Sequence, residues 1–274
     1  MSYMQSGTFI AKRLLPEILR ELCADRKITC TSYSDEWVLQ LNRGDKQLWV
    51  YGYHFDINGG AVSEVAKDKV ATFLVLERAG IPVVPHYLVR SAAHESINTE
   101  RLTKTIPNSD KPFVVKPLSG SSGKYVYYAQ NIDEAVKVVL EGSEAGWTAS
   151  TYQDIQKEFR VVMLDDKVEL VYEKTSPSVH GGLRLFNLGL GAKARNIEPG
   201  SPIYAQLQDL ASRACVAMSL RFAAVDVVEL DNATLKILEI NSGLSFEHYA
   251  RQGSEKRITA EKIYGKIIDK VFSA

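Results

Sequence analysis

The sequence predicts an α+β protein in which antiparallel strand pairs are mixed with helices. Two observations carry this. Short alternating runs come in pairs around turn residues, at 37–41 with 47–51, 159–164 with 168–173, and within 222–240. Helical spacing occupies 14–23, 61–79, 132–140, 204–218 and 259–272. The two signals do not alternate as a parallel βαβ sheet requires.

The first sixty residues predict a short α/β cap: a helix over 14–23, a strand over 28–32, and a hairpin turned at Asn42-Arg43-Gly44-Asp45. Asn58-Gly59-Gly60 punctuates the chain before one continuous helix over 61–79, which Gly80 and Pro82 end in the order expected of a helix C-terminus. Strands are expected at 87–89, 113–116 and 125–128, then a helix over 132–140 capped by Asn131 with Glu134 three residues on. The stretch 147–155 leads into a strand pair turned at Asp165-Asp166. A polar, glycine-rich loop over 176–191 follows. A helix, a hairpin and a last helix close the chain.

Composition narrows the function classes. Lysine plus arginine and aspartate plus glutamate number 33 each, so a net charge of zero gives no electrostatic support to nucleic-acid or anionic-membrane partners. Residues 1–10 lack an apolar signal core, and no apolar run is long enough to span a bilayer. Three cysteines without CxxC spacing argue against a disulfide scaffold or zinc cluster. The expectation is a reduced, cytoplasmic protein.

The residues that carry chemistry gather at strand ends. In the hairpin over 222–241, a turn at Asn232-Ala233 sets Glu229 against Lys236, Val228 against Ile237, Val227 against Leu238 and Asp226 against Glu239. The charge match and the apolar matches favour that register. Two carboxylates then stand roughly 5 Å apart, an unfavourable pair unless a proton or cation intervenes. Asn241, two residues on, shares their face. Such hard oxygens suit Mg²⁺ beside phosphates, and an acidic pair on a solvated strand face is the plain alternative. Lys69 falls inside the apolar stripe of the 61–79 helix, four residues after Val65 and four before Phe73. A lysine there snorkels out or meets an anion. Lys116 ends a strand before Ser119-Gly120-Ser121-Ser122-Gly123-Lys124, small residues whose N–H groups can approach a phosphate. Lys124 is followed by Tyr125, so this is no Walker loop, and a plain hairpin loop explains it equally well.

Together these residues resemble the ATP-grasp superfamily over about 68–244. The resemblance implies two α+β subdomains clamping ATP: a cap over 1–66, an ATP-grasp domain over 67–274 and a lid at about 88–153. It implies Lys69 and Lys116 on the ATP phosphates with Lys174 assisting, and Ser119, Gly120, Ser121, Ser122 and Gly123 as a covering loop. Gln153, Asp154 and Ile155 look like the hinge that pairs with the adenine edge, and Glu158 like the ribose-binding acid. Asp226, Glu239 and Asn241 match the metal ligands; two Mg²⁺ ions are expected, with Mn²⁺ as substitute. Arg160, the element Phe186-Asn187-Leu188-Gly189-Leu190-Gly191 and the run ending at Asp226 are similar to the ribosomal-protein glutamate ligase and amino-acid-tailing branch. Asn241-Ser242-Gly243-Leu244-Ser245 departs from the family's Asn-x-Ser-Pro-Gly by lacking the proline, and the cap is shorter than usual.

That resemblance implies an ATP-dependent ligase that activates a carboxylate as an acyl phosphate and joins it to an amine, with Arg160 and Arg184 stabilising the acyl phosphate and oxyanion. Arg160 also reads as an ordinary surface arginine, and His180 as a solvated loop histidine. The expected partners are a small carboxylate and amine, an amino acid or peptide, with no nucleic acid and no membrane; a homo-oligomer is compatible. An ATP-grasp phosphotransferase and a non-catalytic ATP-binding regulator are the rival readings. Converting Asp226 and Glu239 together to their amides is expected to abolish turnover and leave the fold intact.

Overall fold

The structure, a computed structural model, describes residues 12–90, 106, 111–120 and 125–273. Helix α1 (Leu14–Asp25) turns Leu15, Ile18, Leu19 and Cys23 inward. A four-stranded antiparallel meander follows: β1 (Thr29–Tyr33), β2 (Val38–Arg43), β3 (Lys46–Tyr51) and β4 (His54–Phe55). Arg43 pairs directly with Lys46, so the β2–β3 corner holds only Gly44 and Asp45, tighter than the expected four-residue turn. Gly44 supplies the left-handed φ of 64° that this corner requires. Leu39, Leu41, Leu48 and Val50 alternate onto the inner face, where they share one core with α1 and the C-terminal helix.

The single helix expected over 61–79 is two helices, α2 (Gly60–Lys67) and α3 (Lys69–Arg78). Asp68 breaks it. Its backbone is extended, and its carboxylate accepts hydrogen bonds from the Val70 and Ala71 amides, each at 2.9 Å, as an N-cap does. The apolar stripe linking Val65 to Lys69 therefore does not exist, and Val65 is exposed.

A second sheet, in the order β5-β8-β6-β7, is built from β5 (Tyr87–Arg90), β6 (Phe113–Pro117), β7 (Tyr127–Ala129) and β8 (Trp147–Thr151). Helix α4 (Ile132–Glu141) covers it. Asn131 accepts from the Glu134 amide at 3.0 Å, the expected cap. Val89, Phe113, Val115, Ala135, Val139 and Trp147 form a core separate from the rest of the molecule.

The third sheet is fully antiparallel, in the order β13-β10-β9-β14-β15. Its strands are β9 (Ile155–Leu164), β10 (Lys167–Thr175), β13 (Lys193–Asn196), β14 (Phe222–Leu230) and β15 (Leu235–Asn241). The expected loop over 176–191 contains a ribbon, β11 (Ser178–His180) with β12 (Leu183–Leu185), and a 3₁₀ turn, Leu188–Leu190. Edge strand β13 had no counterpart in the sequence reading. One face of this sheet packs on α2, α3 and α5 (Pro202–Ala217). The opposite face meets α1, the meander, α6 (Glu247–Ala250) and α7 (Ser254–Phe272).

The β14–β15 hairpin departs from the expected register over half its length. Asp226 does stand opposite Glu239, but Val227 faces Ile237, Val228 faces Lys236 and Glu229 faces Leu235. Leu238 is a bulge residue without a partner on β14. The Glu229–Lys236 charge match is therefore not made, and Glu229 pairs instead with Lys157 at 2.6 Å.

Candidate active site

A cavity of about 380 Å³ opens between the second and third sheets. Antiparallel register aligns its floor. Tyr172, Arg160, Asp226 and Glu239 form one rank across β10, β9, β14 and β15, with Lys174 opposite Glu158 in the neighbouring rank. Residues directly opposite share a face, so all six side chains point into the same space.

Asp226 is only 1% exposed, yet it is charged because two cations hold it. Arg160 forks onto both its oxygens, at 2.7 and 2.6 Å, and Lys174 stands 3.2 Å away. Burial alone would raise its pKa, but these two charges outweigh burial and bring it down to about 2. Lys174 also pairs with Glu158. Burial and the Arg160 charge work against the Lys174 ammonium, but Asp226 and Glu158 more than offset them and leave its pKa raised. For Glu158 burial is the larger influence, and its pKa is raised despite Lys174.

Lys69 opens α3, where Asp68 fixes the first turn, and its ammonium donates to the Leu118 and Gly120 carbonyls at 3.4 and 3.2 Å. Lys116 stands at the end of β6 and has no hydrogen-bond partner for its ammonium among the described residues. Burial first, then the Lys69 charge, lowers its pKa to about 8, with Glu239 opposing. A buried ammonium in this state is poised to receive an anion.

The remaining expected residues divide. Gly120, Gln153 and Ile155 line the cavity. Exposed Ser119 and Asp154 are not among its lining residues. Asp154 instead pairs with Arg184 at 2.6 Å; Arg184 lines the cavity from the ribbon, while Arg160 sits in the floor. Ser121, Ser122 and Gly123 lie outside the described residues. Residues 152–154 belong to no strand, and the Tyr152 amide extends the β6–β8 pairing by donating to the Pro112 carbonyl at 2.8 Å. Val84, Val114, Ile155 and Leu238 make an apolar slot beside them.

Beside Phe186 and Ser245, which belong to stretches noted in the sequence, the cavity is also lined by Tyr53, Tyr172, His248 and Tyr249, which the sequence did not single out as site residues. The spacing of Tyr172, two residues before Lys174 on the same strand face, is a signal the sequence carries; in the fold its ring stacks on Tyr249 at 5.1 Å. Tyr53 carried no local signal, since it arrives from the meander. The loop after β15 is shaped by that same segment. A Cβ on Gly243 would fall 2.3 Å from the His54 ring, which explains glycine in a stretch that departs from the family pattern.

The family model for the RimK-like ATP-grasp domain matches residues 66–269. The chain belongs to that family. This RimK-like chain is 27% identical over 219 residues to a probable alpha-L-glutamate ligase of Legionella pneumophila, covering 78% of this chain and 66% of that protein. It is 23% identical over 201 residues to the glutamate–LysW ligase ArgX of Sulfurisphaera tokodaii, covering 70% and 66%. The matched stretch thus spans just under two thirds of these relatives. Among solved structures it resembles a bifunctional glutathione synthetase from Pasteurella multocida, with a TM-score of 0.60 at 15% identity over 96% of this chain and 44% of that one. It also resembles a D-alanine–D-alanine ligase from Bacillus anthracis bound to ATP, with a TM-score of 0.57 at 17% identity over 79% and 68%. Both likenesses show the ATP-grasp fold. No helix among the described residues is long and apolar enough to cross a membrane.

The fold family uses ATP with a divalent cation, and the donor set here fits one. Glu239 and Asn241 line the cavity, and the Asn241 amide donates to Glu239 at 3.2 Å. Asp226 faces Glu239 directly. Among the described residues no three His, Cys, Asp or Glu gather into a preformed metal cluster. Two carboxylates and an amide oxygen make an incomplete shell, which suits a hard cation that takes its other ligands from phosphates.

Proposed function

We propose that this protein is an ATP-dependent carboxylate–amine ligase acting on an amino acid or peptide through an acyl phosphate. The observation that carries this is the opposition of Asp226 and Glu239, with Asn241, to Lys69 and Lys116 across one cavity. The apolar slot of Val84, Val114, Ile155 and Leu238 receives the adenine, whose edge pairs with the backbone of Gln153, Asp154 and Ile155. Glu158 takes the ribose hydroxyls. Lys69 and Lys116 bind phosphate oxygens, with Lys174 assisting, and the residues from Ser119 to Gly123 cover them. Asp226, Glu239 and Asn241 would hold Mg²⁺, two ions in the full complex, which would supply positive charge to neutralise the phosphates.

A substrate carboxylate oxygen attacks the γ-phosphorus and ADP leaves. The amine nitrogen then attacks the acyl carbon and inorganic phosphate leaves. Arg160, fixed in the floor, faces the acyl oxygen, and Arg184 supplies a second positive group from the ribbon. The glutamate-ligase names of the relatives support an amino acid as one substrate.

The test is an ADP-release screen of paired amino acids and short peptides with Mg²⁺, with product mass measured. A product one water lighter than the summed substrates is expected, and Glu239→Gln should lower turnover at least a hundredfold. An acyl hydroxamate should form when hydroxylamine replaces the amine. ADP release that gives only a stable phosphorylated product would identify a phosphotransferase, and a nucleotide bound but never cleaved would identify a regulator.

A further inference from the structure

The bulge at Leu238 is what keeps Glu239 in the cavity. Between Val227 and Glu229 the β14–β15 pairing runs so that Asp226 would next oppose Leu238 and Val225 would oppose Glu239. Opposed residues share a face, and Val225 belongs to the apolar layer against α2, α3 and α5. With Leu238 paired regularly in place of the bulge, Glu239 would turn into that layer, away from Asp226. The bulge therefore has to be held, and the segment after α3 holds it. Ile237 donates to the Pro82 carbonyl at 2.9 Å, and Val84 donates to the Ile237 carbonyl at 2.8 Å. The Leu238 carbonyl receives the Nε2 of His86 at 3.2 Å.

His86 is 2% exposed and does not line the cavity. Its other nitrogen, Nδ1, meets the Ser150 hydroxyl at 2.6 Å. Burial, and next the nearby Lys116 charge, keep the ring neutral. A neutral ring with its proton on Nε2 donates to Leu238 and accepts from Ser150, which satisfies both sheets at once. Ser150 lies on β8, on the face it shares with Thr148 and with the Lys116 of neighbouring β6. One imidazole thus ties the strand carrying Glu239 to the sheet carrying Lys116.

We infer that His86 is a positioning residue that aims Glu239 by holding the Leu238 bulge, and thereby sets the affinity for the divalent cation that accompanies ATP. This rests on the reading of Glu239 as a cation ligand. The test measures ATP binding by titration calorimetry, without carboxylate or amine substrates, in Mg²⁺ and in EDTA. The quantity read is the ratio of the two dissociation constants. His86→Leu should reduce that ratio roughly tenfold, the scale of lost outer-shell support, with EDTA affinity changed less than about threefold. His86→Gln, which can donate to Leu238 and accept from Ser150, should restore most of it. Ser150→Ala removes one hydrogen bond and little volume; it should reduce the ratio roughly threefold and serves if His86→Leu does not fold. An unchanged ratio in both His86→Leu and Ser150→Ala, with Glu239→Gln abolishing the Mg²⁺ enhancement, overturns this inference alone. Equal weakening in Mg²⁺ and EDTA overturns it too, because that reports a merely structural role. A wild-type protein whose ATP affinity ignores Mg²⁺ overturns both this and the ligand assignment.

Discussion

At the scale of single residues, the site stores charge that only part of its own structure neutralises. Lys116 is the clearest case. Its pKa of about 8 lies below the ordinary lysine value, so between those values the unfolded chain binds a proton that the folded chain has released. Stability contributed by this group therefore rises with pH across that window. Phosphate reverses the preference by favouring the ammonium. Nucleotide affinity should fall as pH rises through about 8, with proton uptake on binding, seen by calorimetry in two buffers of different ionisation enthalpy. Asp226 and Glu239 should behave differently on losing their charge. Asp226→Asn strands Arg160 and Lys174 and should cost about 3 kcal/mol or more in urea unfolding, whereas Glu239→Gln should cost less than about 1 kcal/mol. The sequence reading expected both changes to spare the fold. The sequence shows two acids able to share a cation, but not that two basic side chains hold one of them, because the Arg160–Asp226 contact joins residues sixty-six apart in the chain.

At the scale of elements, the burial of Lys69 comes from a helix start and not from a helix interior. A single helix over 61–79 placed it in an apolar stripe, but Asp68 ends one helix and caps the next. The burial of Lys69 follows from opening α3 beneath the Leu118 carbonyl. Asp68→Ala should lower stability by about 1 kcal/mol and weaken ATP binding severalfold, read by denaturant melts and by titration on the same samples. Aspartate inside an otherwise regular pattern gives a cap signal, and it was legible had it been weighed as one. Strong local signals did appear in place: Asn131 with Glu134, and Asp165-Asp166 between β9 and β10. The Leu238 bulge had no such signal. A bulge changes the count between two strands while each strand keeps its own alternation, so only the partner reveals it. His86, which without metal-ligand spacing reads as a structural or surface group, shows its role only in the fold, since both its bonds are to distant strands.

At the scale of the whole molecule, the segment before the matched family domain is not a separable appendage. Leu15, Ile18, Leu39 and Leu41 share a core with Ile263, Tyr264 and Ile267 of α7, and Glu247 of α6 accepts the Leu14 amide at 2.8 Å. We propose the cap as a distinct unit only in sequence, with its fold dependent on the rest. A chain lacking residues 12–57 bares that face of α7. It should be insoluble or bind a hydrophobic dye strongly, checked by soluble yield and dye fluorescence beside the full chain. The ring of His54 over Gly243 carries this dependence into the cavity's edge. A serine at 243, as in the wider family, would meet that imidazole and push it aside, and a small residue at 54 makes room for it. An exchange at 243 therefore calls for an exchange at 54 with it, because each limits the room left to the other.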